Sequence, residues 1–408
     1  MKLKFGSGGI RAVMGNEEGC MNLHAVQEIT LGVASYVKKI AKKPSIAIAY
    51  DTRNHSESYA KEAARIFVLE GCSVFIFPVA TSAPVLSFAV RDLKCNLGIC
   101  ITASHNSREY NGYKIYDEDG CQITKKVALI IQEELKNVNM DNLRDWKSFE
   151  ELLNDRKIGF ISRRTNDLFI KSIEKLRMNK SPLKNLRVVY TPLNGTGLSP
   201  MLEMLEMLKV RDIFLVEEQT KPDGDFPTCP YPNPEEDEAL RLGLTMCRHT
   251  NADIMLATDP DGDRIGVAAK YGSQYKQLSG KQIGILLMDY ILRSRKKMGT
   301  MPPNPVIIKT KDVSSMADKI AEEFGAEVIN TPVGFENIGE QLHLLENEGR
   351  IEDFILGFEE NCGCLVGSHV RDKDAVSAAM IVCEMAESYK NEEKTLWNRW
   401  NELDKKYC

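Results

Sequence analysis

The sequence predicts an α/β protein of three consecutive, structurally similar domains, each a mixed sheet flanked by helices. Three observations carry this. Short β-branched runs alternate with longer helical ones along the chain. The runs fall into three groups that each read strand, helix, strand, helix, strand. In each group the third run opens into a polar, glycine-bearing loop. A chain of 408 residues is also too long for one core, since domains hold about 100–200 residues each.

The first group comprises SIAIAYD (45–51), SVFIFPV (73–79) and NLGICITAS (96–104). The second comprises LRVVYTPLNG (186–195), DIFLVEE (212–218) and ADIMLATDPDGDR (252–264). The third comprises PVIIKT (305–310), AEVINTPVG (326–334) and DFILGFEEN (353–361). Helical segments such as 57–71 and 314–325 separate them, each closing on a glycine that suits a helix stop. Polar or Pro-rich stretches near 141–185 and 294–305 read as linkers. The expected domains are therefore 1–160, 161–285 and 286–408.

Composition narrows the function. Fifty-three basic against 58 acidic residues give a formal charge of −5, so neither nucleic acid nor an anionic membrane is an expected partner. The most apolar stretch, 283–292, is interrupted by Asp289 and falls short of the roughly 20 residues a spanning helix needs. The 11 cysteines are scattered and odd in number, without zinc-type spacing, and read as reduced thiols of a cytoplasmic protein.

Ligand sites in α/β sheets favour the carboxyl ends of strands, so the three loops come first. In ATDPDGDRIG (257–266), Asp259, Asp261 and Asp263 alternate directly after a strand. Crowded carboxylates repel one another unless a cation neutralises them, and hard oxygen ligands suit Mg²⁺ or Ca²⁺. An EF-hand would need Gly and Glu where Arg264 and Lys270 stand, so that reading fails; a solvated acidic turn is the other possibility. In CITASHNSREYNGYKIYD (100–117), Ser104 follows a strand beside His105, with Lys114 ten residues on. Such a serine suits a nucleophile or phosphate carrier, although a loop serine is also commonly a cap. In ILGFEENCG (355–363), Glu359 and Glu360 could accept hydrogen bonds from sugar hydroxyls or simply form an acidic loop. FGSGGIRAVMG (5–15) adds backbone amides and Arg11 for an anion, without matching a Walker loop.

Together these loops resemble the α-D-phosphohexomutase superfamily, and most closely its phosphoglucomutase and phosphopentomutase branch, over residues 4 to about 385. TASHN with YNGYK is similar to that family's phosphoserine loop, DPDGDR to its magnesium loop, and GFEENCG to its sugar loop. VRDKDAV (370–376), TPLNGTG (191–197) and PNPEE (232–236) match as well. The resemblance implies an isomerase that interconverts glucose 1-phosphate and glucose 6-phosphate through a phosphoserine and a bisphosphorylated sugar. It implies catalytic roles for Ser104, His105, Lys114 and Arg11. It implies Mg²⁺ held by Asp259, Asp261 and Asp263 with the phosphate of Ser104. It implies substrate contacts from Arg264, Glu336, Glu359, Asn361, Arg371 and Lys373. A sugar 1,6-bisphosphate is the implied activator, and a phosphorylated hexose or pentose the implied partner.

Four positions depart from the family pattern. Ser7 stands where the family has Thr, Ser107 where it has Pro, and Asn361 where it has Ser. Glu336 stands where it has Lys, and a carboxylate there repels a phosphate. No counterpart of the family's fourth, phosphate-gripping domain follows residue 385, so a homo-oligomer or a complementing fourth domain is the expected protein partner. The alternatives are a phosphopentomutase, a sugar-bisphosphate phosphotransferase, or a non-catalytic sugar-phosphate-binding remnant.

Overall fold

The computed structural model describes residues 3–6, 9–140, 143 and 147–407; Ser7 lies outside them. Its chain folds into three α/β units, each built on its own mixed sheet.

The first sheet contains β1 (Ile10–Val13), β2 (Ser45–Tyr50), β3 (Ser73–Ile76), β4 (Leu97–Ile101), β5 (Tyr110–Tyr116) and β6 (Ile158–Phe160), in the order β1-β5-β4-β2-β3-β6. The second contains β7 (Arg187–Thr191), β8 (Asp212–Leu215), β9 (Ile254–Thr258), β10 (Ile265–Tyr271) and β11 (Gln274–Leu278), in the order β11-β10-β9-β7-β8. The third contains β12 (Val306–Thr310), β13 (Glu327–Thr331), β14 (Phe354–Phe358) and β15 (Cys364–Val366), in the order β13-β12-β14-β15. All nine expected strands form. The central strands β4, β9 and β14 are near-continuous apolar runs because they are buried on both faces.

One four-strand pattern recurs. In every unit two parallel strands flank the first, and a fourth runs antiparallel beside the third. The antiparallel members β5, β10 and β15 were not expected from the hydrophobic runs. They matter here, because the loop before each one is a candidate functional loop. The strand order reverses between first and third strands, which is where α/β sheets open a crevice for ligands.

Helices begin and end where local chemistry dictates. Ser279 and Gln282 form a capping box at the start of helix Gly280–Met298. Gly325 ends helix Met316–Phe324 in the left-handed region. Asp374 accepts from the N–H groups of Val376 and Ser377 to start helix Ala375–Lys390. Position 285, expected to divide the second and third units, falls inside helix Gly280–Met298. The stretch expected as a linker near 141–185 carries β6 and helix Arg163–Glu174. One apolar core runs through all three units, from Ala47 and Leu86 through Leu256 and Ile285 to Leu356 and Met380. The units are therefore docked on one another, with their loops converging. No described helix is long and apolar enough to cross a membrane.

Candidate active site

The loop after β4 places Ser104 in the left-handed region at φ 53°, which an L-residue adopts only under constraint. The serine is buried, and its Oγ donates to Asp259 Oδ2 at 2.9 Å, from the second unit. His105 Nδ1 lies 3.3 Å from the same Oγ. Burial, then the charges of Arg264 and Arg11, push the His105 imidazole down to about 2, so it is neutral near pH 7.

The loop after β9 brings Asp259, Asp261 and Asp263 together, all fully buried, with one carboxylate oxygen of each within 4.8 Å of the others. Asp259 Oδ1 accepts from the N–H groups of Asp263 and Arg264, at 3.1 and 3.0 Å. Burial and then its two acidic neighbours push the Asp259 carboxyl up. Lys114, on β5, donates to Asp261 Oδ2 at 2.6 Å and Asp263 Oδ2 at 2.9 Å. Burial alone would lower its pKa, but these two carboxylates raise it, so the ammonium stays charged. Asp261 Oδ1 and Asp263 Oδ1 remain buried without a hydrogen bond. Oxygens left this way are costly unless a cation meets them, so the triad is chemically fit to hold a hard metal ion.

Arg11 lies on β1 opposite Gly112. A side chain at Gly112 would collide with the carbonyls of Thr102 and Ile10, at 2.5 and 2.6 Å. That close approach lets β1 lie against the serine loop, where Arg11 Nη1 donates to Asn106 Oδ1 at 2.9 Å. Its Nε is buried without a partner.

The loop after β14 closes onto the aspartate loop. Ile265 N donates to Cys362 O at 3.1 Å, and Arg264 Nη1 donates to Asn361 O at 3.2 Å. Glu359 is buried, its carboxyl pushed up by that burial. Lys373 Nζ sits 3.4 Å from Asp263 Oδ2 and 3.1 Å from Asp372 Oδ1. Asp372 in turn accepts from Tyr116 and Gln122 of the first unit, at 3.0 and 2.7 Å.

The structure thus gathers Ser104, His105, Lys114, Arg11, the three aspartates, Arg264 and Lys373, with Glu359 alongside. Three other expected substrate residues make no hydrogen bond or ion pair with this cluster's side chains and have other surroundings. Arg371 is buried, and its Nη2 donates to Glu346 at 2.7 Å while Nη1 turns to the carbonyls of Ser368 and Val370. The Asn361 side chain reaches only Glu360 Oε1, at 3.4 Å. Glu336 lies in the first turn of helix Phe335–Asn347, 6% exposed, with Oε1 lacking a partner.

Sequence reasoning missed Asp51 and Arg53 at the end of β2. The available signal was position: two opposite charges at the carboxyl end of a strand next to the crevice.

Fold and converging loops define a phosphohexomutase-type isomerase. Comparison with known proteins places the chain within that class. Three family models match: phosphoglucomutase/phosphomannomutase alpha/beta/alpha domain I over residues 2–141, domain II over 167–272 and domain III over 279–407. A phosphoglucomutase of Staphylococcus haemolyticus is 32% identical over 403 residues, covering 98% of this chain and 72% of the relative. The chain belongs to the phosphoglucomutase/phosphomannomutase family. A crystal structure from Thermus thermophilus, assigned as a phosphomannomutase, superposes with a TM-score of 0.80 at 21% identity, covering 99% of this chain and 84% of that one. Parafusin, a phosphoglucomutase from Paramecium, gives 0.70 at 16% identity, covering 99% and 74%. At these identities the two structures share the fold with this chain.

Proposed function

We propose that this chain is an Mg²⁺-dependent phosphosugar mutase that interconverts glucose 1-phosphate and glucose 6-phosphate through a phosphoserine at Ser104. The observation that carries the reading is the contact of Ser104 Oγ with Asp259, 2.9 Å long, beside two buried carboxylate oxygens that lack partners.

In this reading Asp259, Asp261 and Asp263 hold the ion, together with the phosphate on Ser104. A bound ion would supply neutralisation of the charge on the transferring phosphoryl group, which such transfers need more than covalent assistance. The P–O bond to Ser104 Oγ breaks as a P–O bond to the sugar hydroxyl forms. The hydroxyl's proton passes in net to Ser104 Oγ as the phosphoryl group leaves it, and His105 Nδ1, 3.3 Å from that oxygen, is placed to hydrogen-bond it. Lys114 keeps its charge against the developing negative charge, and Arg11 supplies a second cation through Asn106. The sugar 1,6-bisphosphate then turns over, and its other phosphoryl group returns to Ser104. Lys373 and Glu359 line the side toward the third unit and meet the sugar, while Arg264 ties the metal loop to the sugar loop.

Labour divides by sheet: the first unit carries the phosphoserine, the second the metal, the third the sugar contacts. We place the second divide near residue 279, ahead of the capping box, instead of at 285. The free thiols of the described cysteines suit a reducing compartment such as the cytoplasm.

The test is direct. With Mg²⁺ and glucose 1,6-bisphosphate, intact mass and peptide mapping should find phosphate on Ser104, and a coupled assay should detect interconversion of the two glucose phosphates. Absence of both overturns the proposal.

A further inference from the structure

We infer that Asp51 and Arg53 are positioning residues that fix Ser104 from both sides of its backbone, aiming its Oγ at the acidic triad. The inference rests on the reading of Ser104 as the phosphate carrier, but the geometry behind it is separate. Neither residue hydrogen-bonds the triad; both bond the serine loop, and the Arg53 charge also acts on Asp261 and Asp259 through space.

Ser104 needs an external constraint, because φ 53° is disfavoured for a residue bearing a Cβ. Its N–H donates to Thr102 Oγ1 at 2.8 Å. That hydroxyl in turn donates to Asp51 Oδ2 at 2.6 Å. The Ser104 carbonyl accepts from Arg53 Nη2 at 2.6 Å. Asp51 and Arg53 close the ring: Arg53 N donates to Asp51 Oδ1 at 3.0 Å, and Arg53 Nε lies 3.2 Å from Asp51 Oδ2.

The same guanidinium gathers the rest of the loop. Nη2 also reaches Asn106 O, and Nη1 donates to the carbonyls of Ser107 and Tyr110, at 2.8 and 3.1 Å. One rigid, planar fork therefore holds four carbonyls, which a lysine ammonium cannot reproduce. Both side chains are fully buried, so water does not substitute for either. From the second unit, the Phe226 ring lies 5.2 Å from the guanidinium and Asn54 donates to Asp225 at 2.8 Å. The ring is thus braced by the unit that carries the aspartates.

A single atom tests this. Thr102→Val deletes the hydroxyl that joins Asp51 to the Ser104 amide and keeps the shape; Thr102→Ser restores it. Thr102→Val should slow phosphorylation of Ser104 by glucose 1,6-bisphosphate at least tenfold and leave KM within threefold, with a lower Tm because the buried Ser104 N–H and Asp51 Oδ2 lose a partner. Thr102→Ser should return the rate to within threefold of the parent. Arg53→Lys, which keeps the ion pair but loses the fork, should also lower kcat and not KM. In crystal structures, Ser104 Oγ should leave hydrogen-bond distance of Asp259 in the valine variant and stay in the serine variant. Parent-like transfer by Thr102→Val overturns the inference, as does an unmoved Ser104 in its crystal structure. If the parent chain takes no phosphate, the carrier reading fails, and the crystal structures still decide whether these residues position Ser104.

Discussion

The serine–aspartate half of the cluster and the third-unit half around Glu336 and Arg371 grow from the same sheet topology, yet their charges behave differently. In the first two units buried charges meet opposite charges: Lys114 bridges two aspartates of the second unit, and Asp51 holds Arg53 within the first. In the third unit Arg371 also meets an acid, Glu346, but buried Glu336 Oε1 has no hydrogen-bond partner among the described residues. On the proposed function the serine–aspartate half would carry phosphoryl transfer, which needs charges fixed in advance.

The sharpest way to break this comparison is at the triad. Asp261→Asn removes one charge from the cation site and leaves Lys114 with a weaker acceptor. Mg²⁺-dependent transfer should fall by about 10²–10³-fold, the scale of losing one preorganised electrostatic contact. Transfer rates measured across an Mg²⁺ titration check this, and an undiminished rate shows that Asp261 does not serve the ion. Lys114→Met attacks the same charges from the other side. It takes the ion-pair partner from buried Asp261 and leaves Asp263 to Lys373, 3.4 Å away, and breaking a buried pair costs about 3–5 kcal/mol. The melting temperature should drop in chelator and recover on adding Mg²⁺ by more than in the parent, because a ligand that binds only the folded state stabilises it. Equal Mg²⁺ shifts in both proteins would mean the metal and Lys114 do not share the aspartates.

A smaller effect is expected at Glu336. Replacing the carboxylate with lysine turns a repulsive charge into an attractive one for a sugar phosphate. KM for glucose 1-phosphate should fall roughly fivefold, equivalent to about 1 kcal/mol. Glu336→Gln should give part of that gain. An unchanged KM in both places the carboxylate outside the substrate's reach, and a gain for a pentose phosphate instead favours the phosphopentomutase alternative.

Legibility in the sequence follows the same divide. The central strands could be read because burial on both faces makes them continuous apolar runs, and the loops because Ser104 and the aspartates sit directly after such runs. The antiparallel strand β5 was hidden because it mixes charged and aromatic residues over Tyr110–Tyr116, where the charge of Lys114 is offset by distant aspartates. Asp51 and Arg53 were hidden because their partners lie about 50 residues along the chain, at Thr102 and Ser104. Arg371 stands in a basic segment that reads as substrate-facing, but nothing local announces Glu346, which captures it from helix Phe335–Asn347. Spacing records what a strand end carries; it does not record which way a long side chain turns when an acid from another element is nearer.

The mildest expected effect tests how firmly that capture holds. Glu346 bridges Arg371 and Arg91, linking the third unit to the first. Burial pushes its carboxyl up, but hydrogen bonds from the two arginines outweigh this and hold it below its ordinary value. A carboxylate whose pKa is depressed on folding stabilises the protein above its unfolded pKa, and the contribution disappears as pH falls through the folded one. Glu346→Gln should therefore lower Tm slightly at pH 7, by an amount worth under about 1 kcal/mol because the side chain is 37% exposed. The gap to the parent should shrink as pH drops below about 4, and added salt should shrink it at pH 7. A gap that persists at low pH would mean Glu346 acts through packing, and that the third unit's charges are held as firmly as those of the serine–aspartate half.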